Sequence, residues 1–416
     1  MSNWNNCSIG DLGLIVGGAT PSSKNKNNYL NGNISWITPK DLSKSNSRYI
    51  SKGERNITEE GLNSCSSKLL PKGSVLFSSR APIGYVGIAQ NELCTNQGFK
   101  SIVPNRNNDS LFIYYLLKFY APKIEKSASG STFKEISGSD LKAFKVRVPN
   151  ITIQKNIAGV LNAIDSKIEN NNKINAELES LAKTIYDYWF LQFEFPNEEG
   201  KPYKSSGGKM VWNEELKREI PEGWNVFSLE ERGYLKNGIN YDKKDKGDKI
   251  FRIINVRDIS QSSLFISSSS LENISLFEKS ACNYKLDKND ILIARSGCPG
   301  QVRLIDQIAE DIIYCGFIIC FSPKIPSERL YLTMALKKLE GTNASKTGGS
   351  ILQNVSQATL KNIKICMPTN KLLDKYNSIN SSINQKIISI VQENSELSSL
   401  RDFLLPMLMN GQITFR

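Results

Sequence analysis

The chain has 416 residues, 39% hydrophobic and 23% charged, with 53 lysines and arginines against 41 acidic residues and no histidine. At about 100–200 residues per domain this is two to three domains of chain, and the composition excludes a disordered or fibrous protein. No apolar run nears the ~18 residues of a membrane span, the first residues lack a charged-then-apolar leader, and the missing histidines remove Ser-His-Asp and Cys-His triads, zincin helices and Cys2His2 fingers.

Residues 1–150 carry 19 basic and 10 acidic side chains. Short apolar runs at 74–77 and 85–89, punctuated by Gly, Pro, Asn and Ser, predict strands and turns, with a helix over 111–120. After Pro149 the period becomes helical. Ile157, Leu161, Ile164, Ile168, Asn171, Asn175, Leu178, Ala182, Ile185 and Trp189 step alternately by four and three, the seam of a coiled coil over 151–196. Tyr186, Tyr188, Trp189 and Phe190 near its end are expected to be buried at a domain or subunit junction. Residues 197–223, rich in Gly, Ser, Glu and Lys, read as a connecting segment.

Residues 224–370 are basic again, 20 groups against 15, with strand-like runs at 291–294 and 312–321 and a helix over 330–340. Residues 371–416 carry a second seam: Tyr376, Asn380, Ile383, Ile387, Ile390, Asn394, Leu397, Arg401, Leu404 and Leu408. Pro406 is expected to end this helix. Asn175 and Asn394 occupy equivalent seam positions, where a buried amide sacrifices stability to fix register. Each seam of about five heptads makes a rod of about 55–60 Å, less than two turns of DNA. An amphipathic helix packed on its own domain is the plainer account of either pattern.

The chain is duplicated. Gly130-Ser-Thr-Phe-Lys-Glu-Ile-Ser-Gly-Ser-Asp-Leu-Lys-Ala-Phe-Lys-Val-Arg-Val-Pro149 aligns without gaps on residues 349–368, with seven of twenty positions identical. Trp4-Asn5 answers Trp224-Asn225, and Ile37-Thr-Pro-Lys-Asp-Leu-Ser43 answers Ile254-Asn-Val-Arg-Asp-Ile-Ser260, with the offset wandering between 216 and 220. Two long copies imply internal pseudo-two-fold symmetry rather than a solenoid. The expected architecture is therefore α+β: two similar mixed α/β domains (1–150 and 224–370) held apart by two long antiparallel coiled-coil helices.

Familiar chemistry is missing. No Gly-x-x-x-x-Gly-Lys-Ser/Thr loop is present, nor a dinucleotide fold signature, nor an Asn-Pro-Pro-aromatic box. Glu59-Glu60 and Glu230-Glu231 read as solvated surface. The eight cysteines hold no Cys-x-x-Cys pair and suggest reduced thiols, mostly in cores, of a cytoplasmic protein. No active site and no metal site is expected.

Three stretches carry a resemblance. The tail Leu400-Arg-Asp-Phe-Leu-Leu-Pro-Met-Leu-Met-Asn-Gly-Gln412, the central Lys201-Pro-Tyr-Lys-Ser-Ser-Gly-Gly-Lys-Met-Val-Trp-Asn-Glu-Glu-Leu216 with Ile220-Pro-Glu-Gly-Trp224, and Ser74-Val-Leu-Phe-Ser-Ser-Arg-Ala-Pro-Ile-Gly84 resemble the specificity subunit of type I restriction–modification systems. The resemblance spans essentially the whole chain. It implies two target-recognition domains, each reading half of a bipartite site in double-stranded DNA, and two helices that act as spacer and dock two methyltransferase subunits. Those partners would bring S-adenosylmethionine for adenine-N6 methylation. Restriction motor-nuclease subunits, where present, would use ATP and Mg²⁺. This chain would be a non-catalytic subunit with no cofactor of its own.

Affinity for DNA comes from Lys and Arg on phosphates, and specificity from a few side chains on base edges. Arg80 and Arg295, one alignment step apart after matching strands, are the leading candidates for bidentate guanine contact, with Ser79 and Ser296 beside them. Arg48, Arg55, Arg252, Arg257 and Arg303 are weaker ones. The turns with Gly130, Ser131 and Thr132, and with Gly349 and Ser350, combine hydroxyls with unshielded amides near Lys134 and Lys346, which suits phosphate. Lys24 and Lys26, and Lys243, Lys244 and Lys246, lie in matching polar stretches. Surface salt bridges, flexible loops and solvated faces are the plain alternatives for each. At the level of function, a non-specific nucleic-acid-binding or coiled-coil adaptor, or the specificity subunit of a modification-only complex, remain the competing readings; a self-contained methyltransferase or nuclease is disfavoured by the absent motifs.

Overall fold

The computed structural model describes residues 4–45, 47–80, 82–128, 134–242, 244, 246–338, 340 and 355–413. The chain divides into two compact units, Met1–Glu169 with Leu397–Arg416, and Asn170–Glu396. The division runs through both long helices, Ile151–Tyr186 and Asn370–Met409. Each helix therefore gives one part to each unit, where the sequence pattern had set the helices apart from the domains.

In the first unit a five-stranded sheet runs in the order Gly13–Gly17, Lys100–Pro104, Val75–Ser79, Ile83–Ala89, Tyr49–Ile50. A three-stranded sheet is ordered Arg55–Ile57, Ile34–Ile37, Cys94–Thr95, and Trp4–Ser8 pairs antiparallel with Lys145–Pro149. Helix Ser110–Ser127 turns Phe112, Ile113, Leu116, Leu117 and Ile124 into the core formed with Val75, Phe77 and Ile102. Ile157 and Leu161 of one long helix and Leu408 and Met409 of the other close that core. Burying such side chains, at about 1.5–3 kcal/mol each, is what holds the helix segments on the domain.

The second unit repeats the topology strand for strand. Its five-stranded sheet is Gly233–Asn237, Ile318–Pro323, Ile291–Ala294, Val302–Ile305, Phe265–Ile266; its three-stranded sheet is Glu272–Leu276, Lys249–Ile254, Ile312–Tyr314; and Asn225–Ser228 pairs with Lys364–Met367. The apolar run expected as one strand over 312–321 is two strands, because Cys315–Gly316–Phe317 turns the chain between sheets. Helix starts repeat too. Asp41 caps the backbone N–H of Thr38 at 2.7 Å and Asp258 caps that of Asn255 at 2.7 Å; Asp11 and Glu231 do the same for Ser8 and Ser228. Glu231, read from sequence as solvated surface, is exposed and also caps a helix.

Within each unit the long helices run antiparallel. In the first, Arg401 donates to Asp165 at 3.1 Å. In the second, Asn171 donates to Glu393 at 2.8 Å and Asn394 at 2.9 Å, while Trp189 meets Tyr376 at a ring separation of 6.1 Å. Of the seam residues, Ile157, Leu161, Ile164, Asn175, Ile387 and Ile390 are buried, and Ile168, Leu178, Ile185, Ile383, Asn394, Leu397 and Leu404 are half-buried. The amide lock differs from expectation: Asn394 bonds Asn171 and Asn172, and Asn175 is buried with its Oδ1 unpartnered among the described residues.

Pro406 does not end its helix, which continues to Met409. The proline loses its own N–H bond and its ring crowds the carbonyl of Asp402, yet the helix runs on for three residues, and the stop is made by Gly411 in the left-handed region, φ 71°, whose N–H reaches Leu408 O while that of Gln412 reaches Met407 O at 2.9 Å. The other long helix ends in a π-turn, Asp187–Leu191, that buries Trp189 and Phe190. Tyr188 points away and is 40% exposed, so only three of the four aromatics expected inside are there. The segment 197–223 is folded: Met210–Asn213 and Arg218–Pro221 form a hairpin, and Tyr203 stacks on Phe195 at 4.5 Å.

Candidate nucleic-acid interface

Backbone hydrogen bonds gather the same loops at one rim of each domain. In the first domain, Gly18 N–H bonds Phe99 O, Ala19 N–H bonds Thr95 O at 3.0 Å, Asn96 N–H bonds Ile37 O at 2.9 Å, Ser79 N–H bonds Gly98 O at 2.8 Å and Ile136 N–H bonds Ser79 O at 3.0 Å. In the second, Gly238 bonds Ile318, Ile239 bonds Tyr314 at 3.0 Å, Cys315 bonds Ile254 at 3.0 Å, Arg295 bonds Phe317 at 2.8 Å and Val355 bonds Arg295 at 2.8 Å. The two lists match bond for bond. They make Arg295 the counterpart of Ser79, not of Arg80, and Phe317 the counterpart of Gly98. The one-residue offset in the sequence alignment is therefore real: Ser79-Arg80 and Arg295-Ser296 exchange their side chains between equivalent positions.

That exchange changes what each side chain can do. Ser79 is fully buried, its hydroxyl donating to Gly98 O at 3.2 Å, so it is corrected from a surface contact to a rim-closing group. Arg80 is half-exposed and leans on Glu135 at 3.5 Å. Arg295 is half-buried and its side chain has no ion pair or hydrogen bond among the described residues. The turn after it is set by Gly297 at φ 74°, where a Cβ would strike Val256 at 2.8 Å, so the turn sits on the start of helix Val256–Gln261.

Other candidates divide by environment. Lys24, Lys26, Lys134, Lys244 and Lys246 are exposed, as is Arg257, whose nearest carboxylate, Asp258, is 4.0 Å away. Arg55 is exposed on an edge strand opposite Trp36. Three arginines are not available. Arg48 is 7% exposed, bonded to Ser166 at 2.6 Å and paired with Glu169 at 3.4 Å. Arg303 is 6% exposed and bonds Glu340, Ser262 O and Val302 O. Arg252 grips Asp311 through two bonds of 2.7 and 2.8 Å and reaches Ser268 O. A guanidinium already spent on a fixed carboxylate would have to abandon it to contact DNA. The Arg252 bond also holds the Asp311 carboxyl below its ordinary value. Ser296 is half-buried in the turn, its carbonyl accepting from Cys298 N–H. Gly130, Ser131, Thr132, Lys243, Lys346, Gly349 and Ser350 lie outside the described residues.

Sequence reasoning overlooked Phe317, 61% exposed on the rim of the second domain, and Gln97 and Thr20, hydrogen-bonded to each other on the rim of the first. The signal for Phe317 was present as the Gly-Phe pair shared by 98–99 and 316–317, but the structural register shifts by one. Each domain thus has exposed ammonium groups suited to phosphates and, on its rim, a few other side chains suited to base edges.

Comparison with known proteins agrees with the duplicated architecture. The family model for the type I restriction modification DNA specificity domain matches residues 1–180 and 221–405. The specificity subunit of the type I restriction enzyme MjaIX of Methanocaldococcus jannaschii is 33% identical over 99% of this chain and 94% of its own length. The HindI specificity subunit of Haemophilus influenzae is 24% identical over 99% of this chain and the whole of its own. Among solved structures, the S subunit of a type I restriction–modification system from M. genitalium superposes with a TM-score of 0.55 at 19% identity, covering 98% of this chain and 96% of that one.

Proposed function

The chain belongs to the type I restriction modification DNA specificity family, and from that premise we propose that its two rims read the two half-sites of a bipartite duplex, one each, and that it supplies an address rather than chemistry. The observation that carries this reading is the duplicated rim: the same backbone bonds present different side chains in each half, in two domains that both carry exposed lysines. Adenine-N6 methyltransferase subunits, two of them, would dock on the chain and bring S-adenosylmethionine; motor-nuclease subunits, where the system restricts, would bring ATP and Mg²⁺. The long helices would set the length of the unread gap.

The test is to map methylated adenines across the host genome before and after deletion of this gene. Loss of one motif made of two short blocks around a fixed gap is the expected result. An unchanged methylation map, or loss of a single continuous motif, would overturn the reading. In competition binding, equal displacement of the assembled complex by random duplex would instead identify a non-specific adaptor.

A further inference from the structure

We propose that Arg295 and Phe317 are a specificity-determining pair of the second recognition domain, the guanidinium reading a guanine through O6 and N7 and the phenyl ring lying against the methyl group of a neighbouring thymine. The inference rests on the DNA-address reading above and adds to it the residues and the base chemistry of one half-site.

The pairing follows from strand register. Ile291–Ala294 runs antiparallel to Ile318–Pro323 with Ala294 opposite Ile318. The bond from Arg295 N–H to Phe317 O, 2.8 Å, continues that ladder by one rung. Residues directly opposite in an antiparallel pair send their side chains to the same face, with Cα atoms about 4.5–5.5 Å apart. Arg295 and Phe317 therefore emerge side by side at the point where the sheet gives out. Ala294 and Ile318, one rung earlier, are fully buried, whereas Phe317 is 61% exposed.

A single exposed phenylalanine is ordinary on a protein surface; its neighbour makes this one unusual. Of the other arginines between 224 and 370, Arg232, Arg252 and Arg303 are bonded to Glu328, Asp311 and Glu340, Arg257 stands 4.0 Å from its neighbour Asp258, and Arg329 is turned inward with its Nε buried and unpartnered among the described residues. Arg295 is half-buried and has no carboxylate within ion-pair distance among the described residues. A guanidinium with no side-chain partner among the described residues presents the fork that matches guanine O6 and N7, and an apolar surface alongside matches the thymine methyl. The equivalent rung of the first domain is Ser79 opposite Gly98, a buried hydroxyl and no side chain at all. One backbone position thus carries recognition chemistry in one domain and none in the other, as two different half-sites require.

The experiment assembles the full chain with its methyltransferase subunits and measures methylation of a plasmid library randomised at both half-sites. With the wild-type chain a bipartite motif is expected; its absence would sink the address reading itself, before any variant is considered. Arg295→Ala should lower discrimination roughly 5- to 150-fold at one G·C position of one half-site. Arg295→Lys, which keeps the charge and the fold but not the fork, should relax the same position. Phe317→Ala and the milder Phe317→Leu should relax an adjacent A·T position of that same half-site, leaving the other half-site unchanged. A wild-type motif retained by Arg295→Lys and Phe317→Leu would overturn the proposal, as would uniform loss across all sequences, which marks phosphate contacts, or effects falling on separate half-sites.

Discussion

Asp165, 8% exposed in the first unit, accepts a hydrogen bond from the Tyr115 hydroxyl at 2.7 Å and another from Arg401 at 3.1 Å. A carboxylate taken from water into such a place is stable only while both donors satisfy it. Asp165→Ala should therefore cost ~3–5 kcal/mol, because it leaves a largely enclosed guanidinium with only the outward Asp402 for company. Replacing both charges, as Asp165→Leu with Arg401→Leu, should cost less than the single change; urea unfolding of the three chains decides it. The positions equivalent to Tyr115, Asp165 and Arg401 in the second unit are Met334, Asn384 and Ala182, which line a small internal cavity with Tyr376 and Asn380. At the surface, the Arg252–Asp311 pair makes a prediction about pH. Asp311 titrates lower in the folded chain than in the unfolded one, so its stabilisation is complete above about pH 4 to 5 and is lost as pH falls through the folded value. Arg252→Ala should lie below wild type in stability near neutrality and converge on it in acid. A gap that stays constant down to pH 2 would show that the pair contributes packing alone.

At the scale of elements, the long helices decide most. Their lengths, 36 and 40 residues, correspond to about 54 and 60 Å of rise. If they measure the unread gap, removing one heptad from each shortens the ruler by about 10 Å, or roughly three base pairs. The methylated motif of such a variant should close its gap by that amount. A methylated motif with its original gap would mean that the helices dock partners without measuring anything. The heptad step is the right unit because smaller deletions would rotate the seam and expose Leu161 or Ile387, both now without solvent contact.

Across the whole molecule, the duplication was legible because both copies kept the same turns and the same helix-start pattern, Thr38 to Asp41 and Asn255 to Asp258. The seams were legible because burial on a helix repeats in sequence. Partnerships were not. Nothing local distinguishes Arg48, which meets Glu169 more than a hundred residues away, from Arg80 on the rim, and the register shift that sets Arg295 opposite Phe317 appears only in the hydrogen bonds. Nor does heptad periodicity reveal that each helix is shared between two units. That sharing bears on what a grafted domain would need. Arg48 and Tyr115 lie before residue 150 in the first unit, while Asp165, Glu169 and Arg401 lie on the long helices they pack against. A foreign head grafted at residue 150 inherits a socket already wired for one arginine and one phenol. A head lacking both would leave Asp165 to Arg401 and Glu169 to a backbone N–H alone, so first heads that keep the arginine and the phenol should seat most stably, which urea unfolding of grafted chains would measure.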